Sequence, residues 1–186
     1  MVAVGVRPVA KGEIFNVHID EQFMLTVAYR VEVRNEPDVD VDVDIDVAYD
    51  VGLRRVTPVR VTVLRRENGP EVSSAQLRTI RVRGYMAYAA RNVLVMVYEA
   101  ERGEQHVAYP LSYILGKRAS EEAWADEKYR WVFRVYRIAE IVGLNPAKEV
   151  EESLNLSART ATRWIARAKE MGYFDRETII GDVSRG

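Results

Sequence analysis

The sequence contains no cysteine, which excludes disulfides, thiolate metal sites and cysteine nucleophiles and removes any need for an oxidising compartment. Histidine is nearly absent too. Only His18 and His106 occur, far apart, with no Asp-x-His or Glu-x-x-His arrangement around either. Acid-base catalysis needs a base in hydrogen-bond reach of its proton and a partner to orient it, and neither histidine shows one. No glycine-rich phosphate loop occurs, and Gly181 follows no such pattern. No segment approaches the roughly 18 apolar residues of a membrane span. The first residues, "MVAVGVRPVAKGEIF", lack the basic region, apolar run and small-residue cleavage site of a secretory leader. These absences lead us to expect a cytoplasmic protein that is not an enzyme, holds no cofactor or metal, and has no membrane attachment.

What is present suits a globular fold. The 186 residues are 48% hydrophobic and 30% charged, enough for one sizeable core or two small ones. The net charge of -1 hides an asymmetry. Residues 1–116 hold 14 Lys+Arg and 16 Asp+Glu, a balance of -2, whereas residues 117–176 hold 12 and 10, a balance of +2. Within the second segment, Ser157 to Lys169 carries Arg159, Arg163, Arg167 and Lys169 and no acid. The pattern points to a local basic surface rather than a basic domain. Cutting after Gly116 gives a β-rich domain over 1–116 and a helical domain over 117–186.

The first half alternates apolar with polar residues, as in "VAYRVEVRN" and "VRVTVLRRE", and valine dominates. This predicts an antiparallel sheet. The most regular piece, "DVDVDVDID", sets Asp38, Asp40, Asp42, Asp44 and Asp46 on one face. Same-face residues on a flat strand lie about 6.6 Å apart, too far for adjacent aspartates to converge on one calcium ion. A solvent-facing strand paired with its predecessor is the better reading. A three-residue loop Glu36-Pro37-Asp38 would place Arg34 opposite Asp40, Glu32 opposite Asp42 and Arg30 opposite Asp44, whereas a two-residue loop would send one apolar face to water. A protective acidic edge strand, a partner-binding face and a competitor for the basic helix are the alternatives.

Further on, Ser73 or Ser74 can cap a short helix through Leu77, and Arg83 to Ala100 reads as a helix covering one face of the sheet, although its end, "VLVMVYEAE", also fits a strand. The tyrosines and methionines there are read as core. Gly103, Pro110 and Gly116 mark the connection to the C-terminal third. Ser120 is a candidate N-cap, with Glu121 and Glu122 in the first turn. From Asp126 to Val142, Trp131, Val135, Ile138 and Val142 repeat at helical spacing, with Arg130, Arg134 and Arg137 on the far side. Gly143 ends that helix, Asn145 caps the next and Pro146 takes its first position.

From Ala147, "AKEVEESLNLSARTATRWIA" fits a helix-turn-helix. Val150 and Leu154 face inward, Leu156 drops into the turn, and Asn155 sits where a left-handed backbone is wanted. Ser157 caps the second helix, whose inward residues are Ala161, Trp164 and Ile165. Ala158, Arg159, Thr162, Arg163 and Ala166 then point outward, with Arg167 and Lys169 toward the C-terminal end. The small alanines permit close approach to a duplex, the arginine forks suit guanine edges or phosphates, and Thr162 suits a thymine methyl or a phosphate. Arg130, Arg134 and Arg137 are candidates for phosphate contact. The acids Glu149, Glu151 and Glu152 on the first helix would repel phosphates if they faced DNA.

The stretch "NPAKEVEESLNLSARTATRWIARAKEMGYF" resembles the C-terminal helix-turn-helix of small actinobacterial and actinobacteriophage DNA-binding proteins, over roughly residues 127 to 174. The resemblance implies DNA binding through the second helix. Glu151 departs from it, standing where the motif usually has an alanine packed against that helix. The expected architecture is therefore α+β, an N-terminal antiparallel β-rich domain with a covering helix and a C-terminal three-helix domain with at most a rudimentary wing. The expected function is transcriptional regulation of a phage or mobile-element type, by a homodimer on double-stranded DNA, with the first domain serving dimerisation, a protein partner or a small effector. A DNA-packaging or recombination accessory protein and a protein-interaction adaptor are the rival readings.

Overall fold

The computed structural model describes residues 3–8, 15–37, 39–92, 96–100, 106–118, 127–175 and 180–182. The described residues build a mixed α+β fold with two antiparallel sheets and six helices. Strands β1 (Ala3–Pro8), β4 (Tyr29–Arg34), β5 (Val41–Asp50) and β6 (Arg55–Arg65) form one sheet, in the order β1-β4-β5-β6. The other sheet, ordered β8-β7-β3-β2-β9, is made of β2 (Phe15–His18), β3 (Phe23–Thr26), β7 (Met96–Ala100), β8 (His106–Pro110) and β9 (Ile180–Asp182). Where the sequence predicts one sheet, the chain makes two.

The period-two pattern decides which face each strand buries. Val31 and Val33 on β4 and Val41, Val43, Ile45 and Val47 on β5 are buried. The arginines and most of the aspartates between them are half-buried on the opposite face. Pairing between the two strands sets Arg30 opposite Asp46 and Glu32 opposite Asp44, two residues further along than a three-residue loop predicts. The connection is longer because Asn35 adopts a left-handed backbone (φ 54°) and the Val39 amide donates to the Glu36 carbonyl at 3.2 Å. That turn carries Val39 into the core, where it is 4% exposed. A slip of two residues keeps the side-chain parity, so the apolar face still reaches the interior.

The aspartate-rich strand is not an edge, since β5 lies between β4 and β6. Its carboxylates are held by arginines: Arg30 to Asp46 at 2.6 Å, Arg60 to Asp46 at 2.7 Å, Arg34 to Asp44 at 2.6 Å and Arg66 to Asp42 at 2.9 Å. Among the described residues no cluster of carboxylates or histidines has the arrangement to hold a metal ion. Asp38 lies outside them. A bulge between Asp46 and Val47 shifts the pairing of β5 with β6.

Helix α1 (Ser74–Thr79) starts at Ser73, whose hydroxyl accepts from the Gln76 amide while Gln76 bonds back to the Ser73 amide, a capping box. Helix α2 (Val82–Asn92) stops well short of Ala100. Met96–Ala100, within the expected helix, is instead β7, which pairs with β3 and β8, and residues 93–95 lie outside the described residues. A short helix α3 (Leu111–Tyr113) runs into a π-helical turn over Ile114–Arg118. Then follow α4 (Lys128–Ile141), α5 (Pro146–Ser153) and α6 (Ala158–Glu170). The expected cap Ser120, with Glu121 and Glu122, lies outside the described residues.

Helices α4, α5 and α6 pack on one another, and α4 also packs against β6. Buried residues from either side of Gly116 belong to a single core, running from Val17 to Ala168. The segment after α6 supplies β9, which pairs with β2 inside the second sheet. It forms no wing beside α6 among the described residues. No helix among the described residues is long and apolar enough to cross a membrane.

Candidate nucleic-acid interface

Two successive helix ends fix the geometry of α5 and α6. At the end of α4 the Gly143 amide donates to Glu140 O at 3.3 Å and the Leu144 amide to Ala139 O at 2.8 Å, with Gly143 at φ 77°. This is a Schellman closure, which needs a left-handed residue. Asn145 then accepts from the Lys148 amide at 3.3 Å, and Pro146 occupies the first turn, where its missing amide proton is no loss. The same closure recurs after α5. The Asn155 amide donates to Glu152 O at 3.3 Å, the Leu156 amide donates to Glu151 O at 2.9 Å, and Asn155 stands at φ 50°. Ser157 caps α6 by accepting from the Thr160 amide at 3.2 Å. Helix end, left-handed asparagine and cap all stand where the sequence predicts them.

The helical period then sorts the side chains of α6. Ala161, Trp164, Ile165 and Ala168 are buried, and Val150 of α5 and Leu154 at its end join them in the core. Ser157, Ala158, Arg159, Thr162, Arg163, Ala166, Arg167 and Lys169 are exposed. Arg159 and Arg163 have no ion-pair or hydrogen-bond partner among the described residues, so their guanidinium forks stand free in solvent. The others are partly engaged. Thr162 Oγ1 donates to Ala158 O at 2.9 Å, and Arg167 pairs with Glu170 at 2.9 Å. Lys169 Nζ sits 5.5 Å from the ring centroids of both Tyr136 and Phe174, turned back toward the body of the protein.

The arginines expected on the far side of α4 do not form a solvent-facing row. Arg134 is 2% exposed, so it is not available as a phosphate contact. Its guanidinium bonds Asp20 at 2.6 Å and also Gln22, and lies 4.4 Å above the Phe23 ring and 5.0 Å above Trp131. Arg130 pairs with Glu127 at 2.8 Å and Arg137 pairs with Glu140. The physical reason is that α4 is buried nearly all round, with Trp131, Val132, Phe133, Val135, Ile138, Ala139 and Ile141 inside. A helix covered on most sides keeps only a narrow polar strip, and here that strip holds paired arginines.

No protein family matches the chain, and comparisons with curated proteins and with solved structures return no match.

The acids of α5 are placed by a residue that sequence reasoning did not single out. Glu149 is buried and bonded by Arg91 of α2, and Glu152 lies 3.7 Å from the same guanidinium and 3.4 Å from Lys148. These carboxylates face α2 or a neighbouring lysine, with their charge largely compensated. Glu151 is half-buried. The signal in the sequence was faint, because Arg91 lies 58 residues from Glu149 and no local spacing links them. The two histidines stay apart: His18 is on β2 and His106 on β8, three strand spacings away, or about 14 Å.

Proposed function

We propose that the chain binds duplex DNA through α6, as a transcriptional regulator in which α5 and α6 act as a helix-turn-helix. The observation that carries this is the pair Arg159 and Arg163, exposed on one face of α6 and free of any protein partner among the described residues. They lie one turn apart, about 6 Å along the axis, which spans roughly two steps of a DNA strand. Each planar fork can make paired hydrogen bonds to a guanine edge or a phosphate. Ala158 and Ala166 keep the same face low, so a groove can close on the helix backbone, and the Thr162 methyl suits a thymine methyl. Compensation of Glu149 and Glu152 by Arg91 and Lys148 weakens the electrostatic objection, leaving the half-buried Glu151.

One such helix reads only a few base pairs, so a homodimer on two half-sites about one helical turn apart gives usable affinity. Fluorescence anisotropy of the full chain on mixed-sequence duplex across a salt series tests the proposal. Steep loss of affinity with salt, and loss of most binding in Arg159→Ala/Arg163→Ala, is the expected result. Absence of binding at low salt in both proteins would make these arginines a solvated face, with the helices serving protein contacts instead.

A further inference from the structure

The hairpin between β5 and β6 ends beside the turn that launches α5. Its tip is closed by the Asp50 carboxylate, which accepts from the Leu53 amide at 2.9 Å, and Arg54 follows in a left-handed conformation (φ 52°). Arg54 and Arg55 are exposed and have no ion-pair partner among the described residues. They line one wall of an open groove of about 610 Å³, whose other wall includes Gly143, Leu144 and Pro146. Arg137 also lines it but is paired with Glu140, so the unpaired positive charge of the groove comes from the hairpin.

We propose that Arg54 and Arg55 form a second contact to the DNA backbone, binding phosphates of the duplex that α6 reads; the inference rests on the DNA-binding reading of α6. Helix α5 has eight residues, so its start lies about 12 Å from the turn that leads into α6. The major groove is also about 12 Å wide. In the proposed complex α5 lies across the groove that holds α6, which brings a bordering strand to the start of α5, beside the hairpin tip. Arginine forks beside a helix start suit phosphate, and such contacts fix the register of a reading helix without selecting sequence. The β5-β6 hairpin would thus do the work of a wing, although it precedes the three helices in the chain.

The test is the salt dependence of anisotropy for full-length wild type, Arg159→Ala/Arg163→Ala and Arg54→Asn/Arg55→Gln, on two duplexes of unrelated sequence. Asparagine suits the left-handed position, and circular dichroism checks the fold. Loss of the two hairpin charges is expected to lower the slope of log affinity against log salt by about 1 per residue, equally on both duplexes, with Arg54→Lys/Arg55→Lys recovering most of it. If Arg159→Ala/Arg163→Ala loses binding while the hairpin variant superimposes on wild type, the hairpin contact is wrong and the reading of α6 stands. If wild type does not bind either duplex at low salt, both are overturned.

Discussion

Asp46 sits beneath two arginines and is 6% exposed. The hydrogen bond from Arg30 holds its carboxyl below the ordinary aspartate range; burial opposes the shift, and the bond from Arg60 adds to it. A carboxylate with a depressed folded pKa contributes stability that is fully present above its unfolded value, about 3.9, and is lost as pH falls through the folded one. Asp46→Asn is therefore expected to lower the urea midpoint at pH 7, with the gap to wild type closing as the pH drops below 4. A constant gap from pH 7 to pH 3 would remove Asp46 as an acid-sensitive group. Arg134 is likewise held by distant partners. Sequence spacing put it in a row with Arg130 and Arg137, but its guanidinium is consumed by Asp20, Gln22 and two aromatic rings. Partners 112 and 114 residues away leave no trace in a local pattern.

At the level of elements, local chemistry was legible wherever a helix end is self-contained. Gly143, Asn145, Pro146, Asn155 and Ser157 each satisfy or spare backbone groups within a few residues, so their roles follow from residue type and position alone. A Cβ at Gly143 would meet nothing within 4 Å, so Gly143→Ala carries only the backbone cost of φ 77°, about 1 kcal/mol. Ser157→Ala removes the cap of α6 and costs about 1 kcal/mol. The two positions share no hydrogen bond, so the double variant should lose roughly the sum in urea unfolding. A clearly smaller loss would mean that the turns of α5 are set by packing rather than by their caps. The element read poorly was "VLVMVYEAE", because a short apolar run fits a buried strand and a buried helix equally well. Pairing with β3 and β8 decides it.

For the whole molecule, the striped core matters more than a cut in composition. Trp131 of α4 packs edge-on to Phe23 of β3 with centroids 5.7 Å apart, and the Arg134 guanidinium lies over both rings. The Arg134–Asp20 bond ties α4 to the turn between β2 and β3, with both partners almost fully buried. Such a shared interior couples the stability of the helices to that of the sheets. Urea unfolding followed by far-ultraviolet circular dichroism and by tryptophan fluorescence is therefore expected to give coincident transitions. Two separated transitions would mean that the helical part keeps its fold when the sheets are lost.

The sequence by itself determined the β-strand parity of the first half, the caps and turns of the last three helices, and which side of α6 faces outward. Each depends on contacts between residues only a few positions apart or on strict side-chain periodicity. Only the tertiary structure decided that there are two sheets, that β5 is central, that β9 returns to β2, and that the face of α4 bearing Arg134 is closed. It also decided that Arg91 meets Glu149 and that Arg54 and Arg55 border the start of α5. Those outcomes depend on contacts between residues far apart in the chain, and a linear pattern records which side of an element is apolar without recording what covers it.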